Sequence, residues 1–151
     1  MYEISWNEFE KLSVDLAKQI ISSNIKFNQI VCVSRGGLLL GRILSEILVL
    51  PLGVISAKSI GVDYKVDSKI SSLKIPKDNI LLVDDFFEES AYEITNVINE
   101  KYNLVKNIFP ACVFYRSKSE FKPKFYINHI KDELWVSFPY QNKCLKKHAD
   151  L

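Results

Sequence analysis

A chain of 151 residues with 48% apolar and 25% charged side chains has the length and composition of one domain with a real core. A net charge of +2 argues against nucleic acid or a membrane surface as the main partner, and no apolar run reaches the length of a membrane span. Cys32, Cys112 and Cys144 are odd in number and lack Cys-x-x-Cys spacing, which argues against a disulfide framework and a zinc site and points to a reducing, cytoplasmic setting.

Met1 to Trp6 lacks a basic region followed by an apolar core, so it reads as no signal peptide. Ser5 or Asn7 can cap a first helix running to about Ser22, with Trp6, Phe9, Leu12, Leu16 and Ile20 at helical spacing on a core-facing stripe. Gln29 to Val33 is a β-branched run that predicts a buried strand. Ser34-Arg35-Gly36-Gly37 follows, then a helix from Leu38 to Leu48 with Leu39, Ile43, Leu44 and Ile47 on its buried side. Strand, Gly-Gly and helix make a tight turn through which backbone can approach a ligand, and Arg35 beside it suits phosphate. A further strand spans Leu52 to Ala57. Residues 58–76, with Gly61, Asp63, Lys65, Asp67 and Lys69, predict either an irregular hairpin or a flexible loop over a site.

The chain is organised around Asn79 to Tyr92. Ile80 to Val83 is an apolar run too short for a helix, as in a strand buried on both faces. Asp84 and Asp85 follow where the chain is expected to leave the sheet, the place where ligands bind in open α/β sheets. A helix from about Ala91 to Lys101 comes next, and a loop that opens a helix points N–H groups at an anion. Asn107 to Tyr115 is another strand, so strands and helices alternate into a parallel sheet. Pro123 to Ile127 and Leu134 to Tyr140 are short aromatic segments expected at an edge or in a small cap. Lys143, Lys146, Lys147 and His148 make a basic, frayed end. Helix capping with surface solvation is the plain alternative for the acid pair, but two buried acids are costly without a purpose.

A strand ending in two acids, after a strand ending in Arg-Gly-Gly, resembles the type I phosphoribosyltransferases over nearly the whole chain. Ser34 to Leu38, Tyr115-Arg116-Ser117, Lys122 to Tyr126 and Leu134 to Tyr140 resemble, in order, the xanthine-guanine (6-oxopurine) branch. The resemblance implies one α/β domain over 1–151: a parallel sheet flanked by helices, a flexible loop, and a small C-terminal hood at about 116–142. It implies transfer of ribose 5-phosphate from phosphoribosyl pyrophosphate to a purine base with Mg²⁺, in a homodimer or homotetramer. Ser34, Arg35, Gly36 and Gly37 would hold pyrophosphate, and Asp84 and Asp85 the ribose hydroxyls and the metal with its water. Glu88 would lie near the base nitrogen, while Trp135 stacks on the purine and Val136 lends backbone to its edge. Arg116, where the branch usually has Lys, would donate to the 6-oxo oxygen.

The phosphate loop departs from the family's Thr/Ser-Gly-x-Thr/Ser. Read without a gap it is Glu89-Ser90-Ala91-Tyr92, with a carboxylate where phosphate should sit. With Glu89 inserted it is Ser90-Ala91-Tyr92-Glu93, which restores a hydroxyl and a small residue at Ser90 and Ala91 and is the preferred alignment. These departures carry the alternative reading of a catalytically weak homologue that binds nucleotide or phosphoribosyl ligands in a regulatory role.

Overall fold

The computed structural model describes residues 1–60, 63–118, 121–131 and 133–150. Its elements run β1 (Tyr2–Glu3), α1 (Trp6–Ser22), β2 (Gln29–Ser34), α2 (Leu38–Leu48), β3 (Leu52–Ile60), β4 (Asp63–Ser71), β5 (Asp78–Phe87), α3 (Ser90–Lys101), β6 (Val105–Tyr115), β7 (Phe125–His129), β8 (Val136–Ser137) and α4 (Asn142–His148). Six strands form the main sheet in the order β4-β3-β2-β5-β6-β7, while β1 and β8 make a small second sheet. Every pairing in the main sheet is parallel except β3 with β4, which form an antiparallel hairpin.

The central strands are apolar on both faces because both faces are covered. Leu81 and Val83 join the core under α1 and α2 with Leu16, Leu40 and Leu44. Ile80 and Leu82 point the other way, into a core with Ile94 and Ile98 of α3 and Ile70 of β4. Each such aliphatic side chain taken fully from water stabilises the fold by about 1.5–3 kcal/mol before entropy is counted. The Ser5 hydroxyl caps α1 by accepting the Glu8 N–H at 3.1 Å, so Ser5 and not Asn7 starts the helix.

Several expectations need correction. Trp6 stands 48% exposed and is not part of the α1 core stripe. Along α2 the buried face is Leu40, Gly41, Leu44 and Ser45, while Leu39 and Ile47 are exposed. Gly41 explains the rotation: a Cβ there would lie 2.6 Å from Cys32 Cβ, so the helix packs its glycine flat on β2. The chain does not leave the sheet at the acid pair, because β5 stays paired with β6 from Asp84↔Cys112 to Phe87↔Tyr115. Pairing with β2 stops earlier, at Cys32↔Val83, so the acids sit beside a strand that has already turned away.

Residues 58–76 are largely ordered in the β3–β4 hairpin, with Lys58 paired across to Lys65; Gly61 lies outside the described residues. Of the two places expected for Pro123 to Ile127, an edge or a small cap, the structure gives the edge: β7 (Phe125–His129) is the last strand of the main sheet. The cap draws on both ends of the chain: β1 pairs with β8, Tyr2 N–H donates to Trp135 O at 2.8 Å, and Ile4 N–H donates to Ser137 O at 2.9 Å. The basic end forms the short helix α4. Among the described residues no helix is long and apolar enough to cross a membrane.

Candidate active site

Because β2 ends before β5 does, a gap opens beside Asp84, and the Arg35-Gly36-Gly37 turn fills it. Gly37 N–H donates to Val33 O at 2.8 Å, and Gly41 N–H to Gly37 O at 2.8 Å, so the turn runs straight into α2. A Cβ on Gly37 would lie 2.5 Å from Val83 O and 2.9 Å from Val33 O; on Gly36 it would lie 2.7 Å from Asp85 Oδ1 and 2.9 Å from Asp84 Oδ1. The two glycines are therefore required by space: one lets the turn sink between the strands, the other lets the carboxylates face its backbone. The Ser34–Arg35 peptide bond is cis, and the Ser34 hydroxyl donates to that of Ser56 at 3.0 Å.

Asp84 and Asp85 are 8% and 6% exposed. Asp85 N–H donates to Asp84 Oδ1 at 2.9 Å, and the Tyr140 hydroxyl donates to Asp85 Oδ2 at 2.7 Å. Burial, and then the neighbouring charge of Asp85, holds the Asp84 carboxyl well above its usual range. Burial pushes Asp85 up to about 6, against the Tyr140 hydrogen bond, which lowers it. Tyr140 is itself raised far above an ordinary phenol, first by burial and then by the charge of Asp85. Two buried acids that resist ionisation are a poor surface cap and a good place for a cation. Among the described residues no group of three or more His, Cys, Asp or Glu could hold a metal. The described residues here offer a pair of carboxylates, Asp84 and Asp85, a set that fits a hard divalent cation completing its shell with water and substrate oxygens.

Three cavities adjoin along this line. One of about 690 Å³ lies between the turn and the hairpin, lined by Ser34, Arg35, Ser56, Lys58, Lys65 and Asp67. A second, of about 730 Å³, shares Arg35 and reaches Gly36, Asp85, Tyr140 and Gln141. A third, of about 150 Å³, shares Asp85 and Gln141 and is lined by Phe86, Glu88, Arg116, Trp135, Val136 and Phe138. The cleft is basic at one end, acidic in the middle, and aromatic with a guanidinium at the other.

At that far end Arg116 is fixed from several directions. Its N–H donates to Phe87 O at 3.0 Å, Nη1 donates to Leu134 O at 3.2 Å, and Nη2 pairs with Glu88 Oε1 at 3.2 Å. Its guanidinium lies 5.2 Å from the Phe86 ring centroid. Trp135 is 65% exposed beside this pocket, a flat apolar surface with one face open. Tyr140 stacks on Phe138 at 5.5 Å and meets Phe9 edge-on at 5.2 Å, which ties the cap to α1.

Thus Ser34, Arg35, Gly36, Asp85, Glu88, Arg116, Trp135 and Val136 line one run of cavities, while Gly37 and Asp84 are buried beside it and line none of the three. Ser90 and Ala91 open α3 but do not line these three cavities, and Ala91 is fully buried. Sequence reasoning missed Tyr140, Gln141, Lys58 and Lys65. The lysines become partners only through hairpin register, and the Tyr140 contact with Asp85 spans 55 residues.

The family model for the phosphoribosyl transferase domain matches residues 5–90, more than half of the chain, from the start of α1 through the acid pair. The chain belongs to the type I phosphoribosyltransferases. This phosphoribosyltransferase is similar in structure to a purine phosphoribosyltransferase from Pyrococcus horikoshii, with 28% identity, 93% of each chain covered and a TM-score of 0.75. It also shares its fold with the xanthine-guanine-hypoxanthine phosphoribosyltransferase of Helicobacter pylori, at 24% identity over 99% of each chain and a TM-score of 0.79. A hypoxanthine-guanine phosphoribosyltransferase of Bacillus anthracis matches at 18% identity, covering 86% of this chain and 82% of its own, with a TM-score of 0.66.

Proposed function

We propose that this enzyme transfers ribose 5-phosphate from phosphoribosyl pyrophosphate to a 6-oxopurine and releases pyrophosphate, as a step of purine salvage. The observation that carries the reading is the order of features along the cleft: cations, then a buried acid pair, then an aromatic pocket holding Arg116. That order matches pyrophosphate, ribose and base in the donor and acceptor together. The named P. horikoshii and H. pylori proteins support the purine class.

In this reading the backbone at Arg35, Gly36 and Gly37 holds the pyrophosphate, with the Arg35, Lys58 and Lys65 side chains facing its charge. Asp84 and Asp85 accept from the ribose hydroxyls and would hold Mg²⁺, which when bound would supply positive charge against the leaving pyrophosphate. Ser90 and Ala91 receive the 5′-phosphate at the start of α3. The purine stacks on Trp135, the backbone at Val136 reads its edge, and Arg116 donates to the 6-oxo oxygen. A ring nitrogen attacks the anomeric carbon as the bond to pyrophosphate oxygen breaks. Glu88, at the edge of the pocket, accepts the proton the nitrogen sheds. The protein acts in the cytoplasm as a homodimer or homotetramer.

Base choice is the test. Rates with guanine, xanthine and hypoxanthine should exceed the rate with adenine, whose 6-amino group is a donor facing the donor Arg116. Adenine turned over as fast as the best 6-oxopurine would overturn the substrate assignment.

A further inference from the structure

Read without a gap, the phosphate loop has Glu89 and Tyr92 where the family has Thr or Ser. Both contact the same segment, the loop that follows β6. Glu89 Oε1 accepts from the Ser117 hydroxyl at 2.9 Å and from the Lys118 N–H at 2.7 Å, and its side chain makes no cap on α3. The Tyr92 ring meets Phe121 edge-on at 5.0 Å, and Phe121, itself buried, also meets Phe87 at 6.5 Å. The preceding residue repeats the pattern, since Glu88 pairs with Arg116. Positions 88, 89 and 92 are thus matched to 116, 117–118 and 121.

From this pairing we infer that Glu89 is a positioning residue for the base: it ties the first turn of α3 to the loop that carries Arg116, so both ends of the substrate site move as one. This rests on the reading above, in which α3 receives the 5′-phosphate and Arg116 the purine. The Glu89 carboxylate accepts from Ser117 and Lys118, so it is turned onto the loop after β6. Tyr92 does the same work through packing, with Phe121 as its partner.

Exposed contacts of this kind add only a small coupling to global stability, one that a double-mutant cycle still reads. Their effect lies in geometry, where a shift of about 1 Å in a substrate-holding group can cost up to about a hundredfold in rate. Because α3 is anchored in the core by Ala91, Ile94 and Ile98 while Lys118 is exposed, removing the carboxylate frees the Arg116 loop and not the helix, and so acts on the purine more than on phosphoribosyl pyrophosphate.

The experiment measures KM for guanine and for phosphoribosyl pyrophosphate in wild type, Glu89→Ala and Glu89→Gln. It is joined to a urea-unfolding double-mutant cycle on Glu89→Ala and Ser117→Ala. Glu89→Ala should raise KM for guanine about tenfold, the loss of one charged hydrogen-bonding group, and leave that for phosphoribosyl pyrophosphate within about twofold. Glu89→Gln, which still accepts through its amide oxygen, should recover most of the loss. The unfolding cycle should show coupling between the two positions. A fall in KM for phosphoribosyl pyrophosphate in Glu89→Ala, or both KM values unchanged, would overturn the assignment, as would additive effects in the unfolding cycle. Absence of turnover in the wild type refutes the functional reading instead, and the unfolding cycle still reports whether Glu89 holds the loop.

Discussion

Replacing Asp85 by Asn removes a charge from the cleft with almost no change of shape. Burial carries the Asp85 carboxyl from 3.8 to about 6. At about 1.4 kcal/mol per tenfold change in proton affinity, keeping it ionised in the fold costs about 3 kcal/mol. A value raised in the folded state means that the contribution to stability is fully present below pH 3.8 and is lost as pH rises through about 6. Above that the unliganded protein carries the whole penalty, and Asp84, raised by burial and by Asp85, acts in the same direction. The Asn side chain can still accept from Tyr140 but less well, a loss of about 1 kcal/mol. Urea unfolding of wild type and Asp85→Asn between pH 4 and 8, without divalent cations, should give curves that cross. The variant should be more stable by about 2 kcal/mol at pH 7.5 and slightly less stable at pH 4. Adding Mg²⁺ with phosphoribosyl pyrophosphate should reverse the order at pH 7.5, because only the wild type gains the ligand's binding energy. Parallel curves, or a variant less stable throughout, would refute the claim that the cleft holds a costly buried charge.

The two glycines of the turn should fail differently. Gly36→Ala meets movable carboxylates, so it should fold yet lose about a hundredfold in activity, whereas Gly37→Ala meets the carbonyls of Val83 and Val33 and should lose roughly 3 kcal/mol of stability; thermal unfolding beside the rate assay separates them. Tyr140→Phe removes the donor that lowers Asp85, so the acid limb of the activity profile should move to higher pH, and an unmoved limb would show that Asp85 ionisation does not govern turnover. Trp135→Ala should weaken purine binding more than phosphoribosyl pyrophosphate binding by calorimetry, and equal losses would argue against stacking on its exposed face.

The parts of this fold set by local pattern were legible. The β2 and β5 runs are apolar on both faces and could only be central strands, and α2 and α3 begin within a residue of their expected starts. The Arg-Gly-Gly turn and the acid pair were found because each sits at a change from apolar to polar sequence. What failed depends on partners far along the chain. The rotation of α2 depends on how a glycine packs against Cys32, and helical spacing encodes neither that nor the exposure of Trp6. The extension of β5 through Asp84 and Asp85 depends on β6 being the longer neighbour. Glu89 read as a fault because its donors at 117 and 118 lie 28 and 29 residues away and are brought back only by β6.

The measurement that tests the central claim most directly is formation of guanosine 5′-monophosphate from guanine, phosphoribosyl pyrophosphate and Mg²⁺, with wild type beside the Asp84→Asn, Asp85→Asn double variant. The account predicts turnover by the wild type, with one pyrophosphate released per nucleotide, and none by a double variant that remains folded. A double variant as active as the wild type would remove the acid pair from the chemistry, and a folded wild type inactive with every 6-oxopurine would contradict the proposed function.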